Sequence, residues 1–462
     1  ANVKVKGDQL KSIESRVKKL LKQDIPIEQS KVDGRLQEEI AKDLGDAKAY
    51  RWDDVTLVPP FKEPFIDSSD GIKAFRLLES ASAYWKNNAA NEQLTRLYFV
   101  AFDDKEKLKA FEDRAREAEA RDHRRLGEQL ELFSMHKEAA GMPFFHDKGM
   151  FIYRQLERFM VDEMSKLGYE FMKTPLIMNK SLWLQSGHWD HYKENMYFTT
   201  IDGQECAVKP MNCPGHILVY KHRPHLYKEF PIKAGEFGLV HRHELSGVLS
   251  GLFRVRCFTQ DDAHVFCTRE QLQDEIVELI DLVANIYSAF GFEYHLELST
   301  RPAKAMGDPK LWKEAEGALE KALQSKGLDF KINPGDGAFY GPKIDCHVKD
   351  AIGRSWQCGT IQVDFQMPEK FDLTYEGSEG KERPVMLHRA IYGSFERFFG
   401  ILVEHFAGKF PLWLSPVPVR LVTVTDRADA FAGEVLDELK KVGLYRATVD
   451  NRQETLGKKI RE

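Results

Sequence analysis

The chain has 462 residues, 42% hydrophobic and 30% charged, a composition that suits about three globular domains rather than a disordered polymer. A formal net charge of −5 excludes a protein that coats nucleic acid nonspecifically, yet leaves room for a folded RNA met by local basic patches. No apolar run approaches the ~18–20 residues of a membrane-spanning helix. The start, Ala1-Asn-Val-Lys-Val-Lys-Gly7, has no apolar core of a signal peptide, and the six cysteines form no paired framework, so a reducing, cytoplasmic setting without a membrane is expected.

No histidine precedes His123 and no cysteine precedes Cys206, so the first third must work without imidazole or thiolate chemistry. Residues 8–22 carry Leu10, Ile13, Val17, Leu20 and Leu21 at helical spacing. Residues 50–67 are strand-like but broken by proline, and 72–79 and 94–102 read as strands of a small α/β unit. From 105 to 138, Leu108, Phe111, Leu126, Leu130 and Phe133 suit one long solvated helix leading into the next domain. From Pro143 to Pro411, helices over 151–167 and 271–291 alternate with short strands and Gly-rich loops, as in one large α+β domain. Beyond Trp413 the order is strand 419–425, helix 428–442, strand 445–450 and a helix start at 455. About 45 residues are short for a finished α/β domain, so the chain is expected to stop inside one. The expected segments are 1–104, a linker helix over 105–140, a large domain over 141–410 and a partial one over 411–462.

The richest stretch is 240–264, where two strand-like segments flank a loop and read as an antiparallel hairpin. Alternation puts Arg254, Arg256, Phe258, Gln260, Asp262 and His264 on one face. Guanidinium, aromatic, amide, carboxylate and imidazole groups do not make a dry core. The face is either an exposed amphipathic strand or a polar cleft with arginine for an anion and an aromatic plate for a ring. In Thr360–Phe365, Thr360, Gln362 and Asp364 likewise oppose Ile361, Val363 and Phe365. Ser394 and Arg397 stand three apart at the start of a helix. Cys213, at a turn before a helix expected from about His216, suits a buried structural thiol as well as a ligand. No C-x-x-C pair and no H-E-x-x-H is present.

These segments resemble class II aminoacyl-tRNA synthetases. Arg242-His-Glu244 with Phe253–His264 is similar to the second signature motif of that class, Gly393–Arg397 to the third, and Pro175 to the proline of the first. Ser186–Trp189, Met211–His216, Gly335–Gly341 and Trp356–Phe365 narrow the resemblance to the threonyl-tRNA synthetase family, continuously from about Phe144 onward. The resemblance implies an α+β fold with an antiparallel catalytic sheet flanked by helices, a C-terminal anticodon-binding domain matched here only in its first part, and a homodimer. It implies one zinc ion per subunit on Cys213, His264 and His388, with an open position for the amino and hydroxyl groups of L-threonine. Valine is isosteric but offers no such oxygen, and an apolar pocket alone separates such isosteres only ~100-fold. It further implies ATP with Mg²⁺. Arg242 would lie on the α-phosphate, Arg397 on the γ-phosphate and Arg254 near the phosphate tail. Phe258 would stack on adenine, with Glu244 at the adenine amino group. Met211, Gln260, Asp262 and Tyr340 would line the threonine side, and Gln362 and Ser394 the nucleotide side. His264 and Gln362 would stand close enough to assist transfer to the end of tRNA(Thr).

One departure stands out. Pro64–Phe75 and Gly71–Trp85 resemble the family's editing domain, but its cysteine and histidines are missing, so 1–104 is expected to be an editing-domain remnant. Other readings are a zinc hydrolase, for which three nucleotide-facing arginines are superfluous, an idle paralogue, which would normally lack a motif arginine or zinc ligand, and another class II enzyme such as the prolyl one, which the three zinc positions count against.

Overall fold

The computed structural model describes residues 7–23, 25–30, 49–52, 55–57, 68–84, 91, 93–378 and 380–461. The chain forms two compact units, Ala1–Glu119 and Ala120–Glu462.

In the first unit, the helix Gly7–Leu21 appears where the apolar spacing predicts one. The strands Ala74–Tyr84 and Gln93–Phe102 pair antiparallel, from Ala74 opposite Phe102 to Tyr84 opposite Gln93, longer than the 72–79 and 94–102 expected. Arg76 joins Glu112 on the following helix and lies 3.7 Å from Glu14 on the first. Of the strand-like stretch 50–67, the short strands Ala49–Trp52 and Val55–Leu57 are seen, while 53–54 and 58–67 lie outside the described residues. Residues 64–67 and 85 of the editing-like match also fall outside them.

The expected single helix over 105–138 is instead two, Lys105–Arg121 and His123–Gln129, followed by a small hairpin of Phe133–Met135 and Pro143–Phe145. Asp122 makes the break. Its backbone leaves helical geometry and its carboxylate accepts the Arg124 N–H, starting the second helix as an N-cap. Periodicity alone did not register a capping residue inside an otherwise regular pattern.

The second unit is built on an eight-stranded sheet. Its strands in chain order are β1 (Glu170–Phe171), β2 (Ile232–His241), β3 (Cys257–Cys267), β4 (Glu293–Ser299), β5 (Phe330–Asn333), β6 (Lys343–Lys349), β7 (Ser355–Asp364) and β8 (Val385–Ala390). Their spatial order is β5-β4-β6-β7-β8-β3-β2-β1, antiparallel throughout except for the outermost pairs β1/β2 and β4/β5. The helices Leu272–Ala289 and Pro309–Ser325 cover one face. Ile276, Leu279, Ile280, Val283 and Ile286 recur at helical spacing and join Val265, Leu296, Ile344, Ile361 and Leu387 of the strands in one core. Each such side chain contributes about 1.5–3 kcal/mol on burial. Because β-strand side chains alternate, fixing this apolar face commits the other face of β3, β7 and β8 to the polar residues between.

After the sheet, Arg420–Val422 and Thr448–Asp450 pair parallel, with helices Asp429–Lys441 and Leu456–Arg461, the βαβα order expected. The strands are shorter than read from sequence. Arg446 bonds Asp147 at 2.6 Å, tying this segment to the helix Asp147–Lys166.

Candidate active site

The polar face of the sheet is not an exposed amphipathic surface. His264 is 1% exposed, Gln362 4% and His388 7%. In the strand register His264 of β3 stands opposite His388 of β8, which stands opposite Gln362 of β7, so three residues far apart in sequence form one row. The helix Cys213–Tyr220 delivers Cys213 to that row. It starts at Cys213 rather than near His216, with Pro214 in its first turn, where a missing N–H costs nothing. Donor atoms of Cys213, His264 and His388 lie within 4.8 Å of one another.

The surroundings orient both rings. His388 Nε2 lies 2.8 Å from Asp364 Oδ2, and Asp364 Oδ1 accepts the N–H groups of Gln366 and Met367. His264 Nδ1 lies 2.8 Å from His216 Nδ1, and His216 Nε2 lies 3.0 Å from Glu236 Oε2. Glu236 also accepts from Thr174 and from Lys209 Nζ, itself buried. Burial is the leading influence on Glu236 and opposes its charge, but the bonds from His216, Thr174 and Lys209 outweigh it and hold the carboxyl near 2. Among the described residues each ring therefore keeps one nitrogen without a hydrogen bond, with Asp262 Oδ1 3.9 Å from His264 Nε2. Burial pushes the Cys213 thiol well up and His264 well down, and a metal held there would displace the thiol proton. One sulfur and two oriented imidazoles fit a zinc ion with an open position.

Around this cluster opens a cleft of 490 Å³. It is lined by Met211, Cys213, Arg242, Glu244, Arg254, Phe258, Gln260, Asp262, His264, Tyr340, Gln362, His388, Ser394 and Arg397, every site residue named from sequence. Arg242 Nε donates to Pro210 O, and its guanidinium lies 5.0 Å from the Phe258 ring centre. Arg254 Nε donates to Glu244 Oε2 at 3.0 Å. Among the described residues Arg397 donates only to backbone, from Nε to Phe253 O and from Nη1 to Gln357 O, and burial works against its charge. A half-buried cation with no carboxylate partner among the described residues favours an anionic guest. Ser394 is the N-cap of the helix Phe395–His405 and accepts the Arg397 N–H at 3.1 Å. Asp262 accepts from Asn212, Gln362 donates to Gly341 O, and the Tyr340 ring lies 5.1 Å from that of His388. His188 Nε2 lies 3.1 Å from Met211 Sδ.

Arg256 departs from the face assigned to it. β3 begins only at Cys257, and Arg256 turns away to Glu244 O, Ala140 O and Ser246. Sequence reasoning also passed over Asp261, on the opposite face of β3. Its carboxylate accepts the N–H groups of Ile391, Tyr392 and Gly393 and pairs with buried Arg389. This holds the turn that aims Ser394 and Arg397. Gly393 is required there. Its φ is +78°, and a Cβ would lie 2.2 Å from Cys358 O. His216, Glu236 and Asp364 were likewise given no role. Alternation marked Asp364 as cleft-facing, but no sequence pattern pairs His216 with His264.

The sheet and its motif-bearing cleft define a class II aminoacyl-tRNA synthetase core. Residues 197–406 match the family model described as "tRNA synthetase class II core domain (G, H, P, S and T)". A solved Giardia lamblia prolyl-tRNA synthetase shares the fold at TM-score 0.59 and 18% identity, over 75% of this chain and 67% of its own. The threonine--tRNA ligase of Carboxydothermus hydrogenoformans is 52% identical over 98% of this chain and 74% of its own length. A solved threonyl-tRNA synthetase chain from Cryptosporidium parvum, described as an RNA binding domain, is 44% identical with TM-score 0.71, over 74% of this chain and 86% of its own. The chain belongs to the threonine--tRNA ligase family. No helix among the described residues is long and apolar enough to cross a membrane.

Proposed function

We propose that the chain activates L-threonine with ATP and passes it to the 3′ end of tRNA(Thr), and that a zinc ion on Cys213, His264 and His388 selects the amino acid. The observation that carries this reading is the meeting of one thiol and two imidazoles in the cleft lined by Arg242, Arg254 and Arg397. Bound there, zinc supplies an open coordination position to the amino and hydroxyl groups of threonine, which valine cannot fill.

The threonine carboxylate attacks the α-phosphorus, the bond to the β-phosphate breaks, and pyrophosphate leaves with its electron pair. This chain contributes position and charge. Arg242 takes the α-phosphate, swinging off the Phe258 ring and freeing that face for adenine. Arg397, fixed by two carbonyls, takes the γ-phosphate, and Arg254 the phosphate tail, with Mg²⁺ accompanying ATP. Glu244 holds the adenine amino group. Met211, Gln260, Asp262 and Tyr340 shape the threonine side, and Ser394 keeps Arg397 in register. In the transfer step a hydroxyl of the terminal adenosine attacks the carbonyl carbon, the bond to the phosphate oxygen breaks, and AMP leaves with that electron pair while its phosphate takes up the hydroxyl proton. With one nitrogen on His216, His264 would have no lone pair left for that proton if its other nitrogen held a metal, so Gln362 would assist by orienting the attacking hydroxyl through a hydrogen bond. The reading also takes the enzyme to be a cytoplasmic homodimer, with 1–104 an editing-domain remnant and 411–462 the first part of an anticodon-binding domain.

ATP–pyrophosphate exchange offered each of the twenty amino acids tests this. Threonine should exchange fastest, and Cys213→Ala should abolish exchange while leaving the fold intact. Full threonine exchange by metal-free protein would sink the zinc assignment.

A further inference from the structure

The outer strands of the same sheet assemble a second cluster of donors. β4 and β6 pair antiparallel with His295 directly opposite His347, and Glu297, two residues along β4, shares their face. The imidazole rings stack with centroids 4.8 Å apart and planes 15° apart. Both turn Nε2 toward one carboxylate. His295 Nε2 lies 3.9 Å from Glu297 Oε1, and His347 Nε2 lies 3.7 Å from Oε2. These gaps are too long for hydrogen bonds. They sit just above the spacing of roughly 3.3 Å that metal–ligand bonds of about 2.0–2.2 Å impose between donors at a tetrahedral centre. The three donor atoms lie within 4.8 Å of one another.

Among the described residues neither ring has a hydrogen bond that would compete for Nε2. His295 Nδ1 is buried without a hydrogen-bond partner. Glu297 Oε2 accepts a long bond from Asn333 Nδ2, 3.4 Å. Burial, then the neighbouring His347, lowers the His295 pKa, with Glu297 opposing them. Lys331 and Lys349 lie near enough to lower it as well. A third trio, Asp122, His123 and Glu404, shows the contrast. His123 Nδ1 is 2.6 Å from Glu404 Oε1 and its Nε2 accepts the Leu252 N–H, so both ring nitrogens are spent on structure.

We propose that His295, Glu297 and His347 form a second metal site, taking a divalent first-row cation that favours imidazole, such as zinc, cobalt or nickel, and tying β4 to β6. Two imidazoles and one carboxylate leave the remaining positions to water, so the site is open rather than a closed structural cage. It stands independently of the Cys213 site and of the proposed catalytic role.

Cobalt loading of the full chain followed by gel filtration separates the two sites, because only the Cys213 site gives a thiolate-to-cobalt absorption band. Wild type should retain two cobalt ions per chain. His347→Ala and Glu297→Gln should each lose one ion and keep the thiolate band. Cys213→Ala should lose the band and keep the other ion. If His347→Ala and Glu297→Gln both retain as much cobalt as wild type, the proposal is overturned. Loss of the band from wild type would count against the catalytic zinc reading instead.

Discussion

The chain contains two very different pieces of β-structure. The hairpin Ala74–Tyr84/Gln93–Phe102 has two strands, and only its first end is buried, at Ala74, Phe75 and Leu77, while Leu78 and Phe99 stay exposed. In the eight-stranded sheet, β8 is buried at every residue from Val385 to Ala390. A two-stranded ribbon has no covered second face, so polar side chains on it meet water. A central strand with neighbours on both edges can bury imidazoles, provided each finds a partner, as His388 finds Asp364 and His264 finds His216. Desolvated chemistry therefore concentrates in the sheet. The hairpin's unit has neither histidine nor cysteine to offer.

The contrast breaks most visibly at the arginines. Arg242→Ala and Arg397→Ala should each slow threonine activation by roughly 10²-fold or more, since each removes a charge-assisted contact to a transferring phosphate. ATP–pyrophosphate exchange measures it, and unchanged rates in both variants would remove the motif assignments. A smaller effect is expected one step behind the donors. His216→Ala leaves all three ligands in place but frees the His264 ring, and zinc affinity, read by competition with a chelator, should fall about 10–100-fold. Undiminished affinity would show that the His216–Glu236 pair serves folding alone.

The smallest effect is predicted for the first unit. Serine keeps the hydroxyl and lacks only a methyl, worth about 1–3 kcal/mol of discrimination, so it should be activated measurably. Preformed seryl-tRNA offered to the chain should nevertheless release serine no faster than in buffer. Hydrolysis clearly above that background would mean the hairpin unit holds a site built without imidazole or thiolate.

Much of the molecule could be read from local pattern. Alternation sorted Thr360, Gln362 and Asp364 from Ile361 and Val363, and helical spacing located Leu272–Ala289 within two residues at each end. The same rules failed where one local contact overrode a period. Asp122 capped a new helix inside the 105–138 pattern, and Arg256, just ahead of β3, found backbone carbonyls in place of the cleft. Motif resemblance supplied Cys213, His264 and His388 as a set, which no spacing rule would have joined.

The sequence by itself determined the residue types on each strand face, the helices that cover the apolar one and the family to which the motifs point, because all of these rest on short-range periodicity or contiguous segments. Only the tertiary structure decided which distant groups meet. The register of β3 on β8 and β8 on β7 set His264, His388 and Gln362 in one row, and Asp261 reached across to hold the turn before Ser394. Strand pairing is settled by burial summed over the whole sheet, and no window of sequence contains that sum.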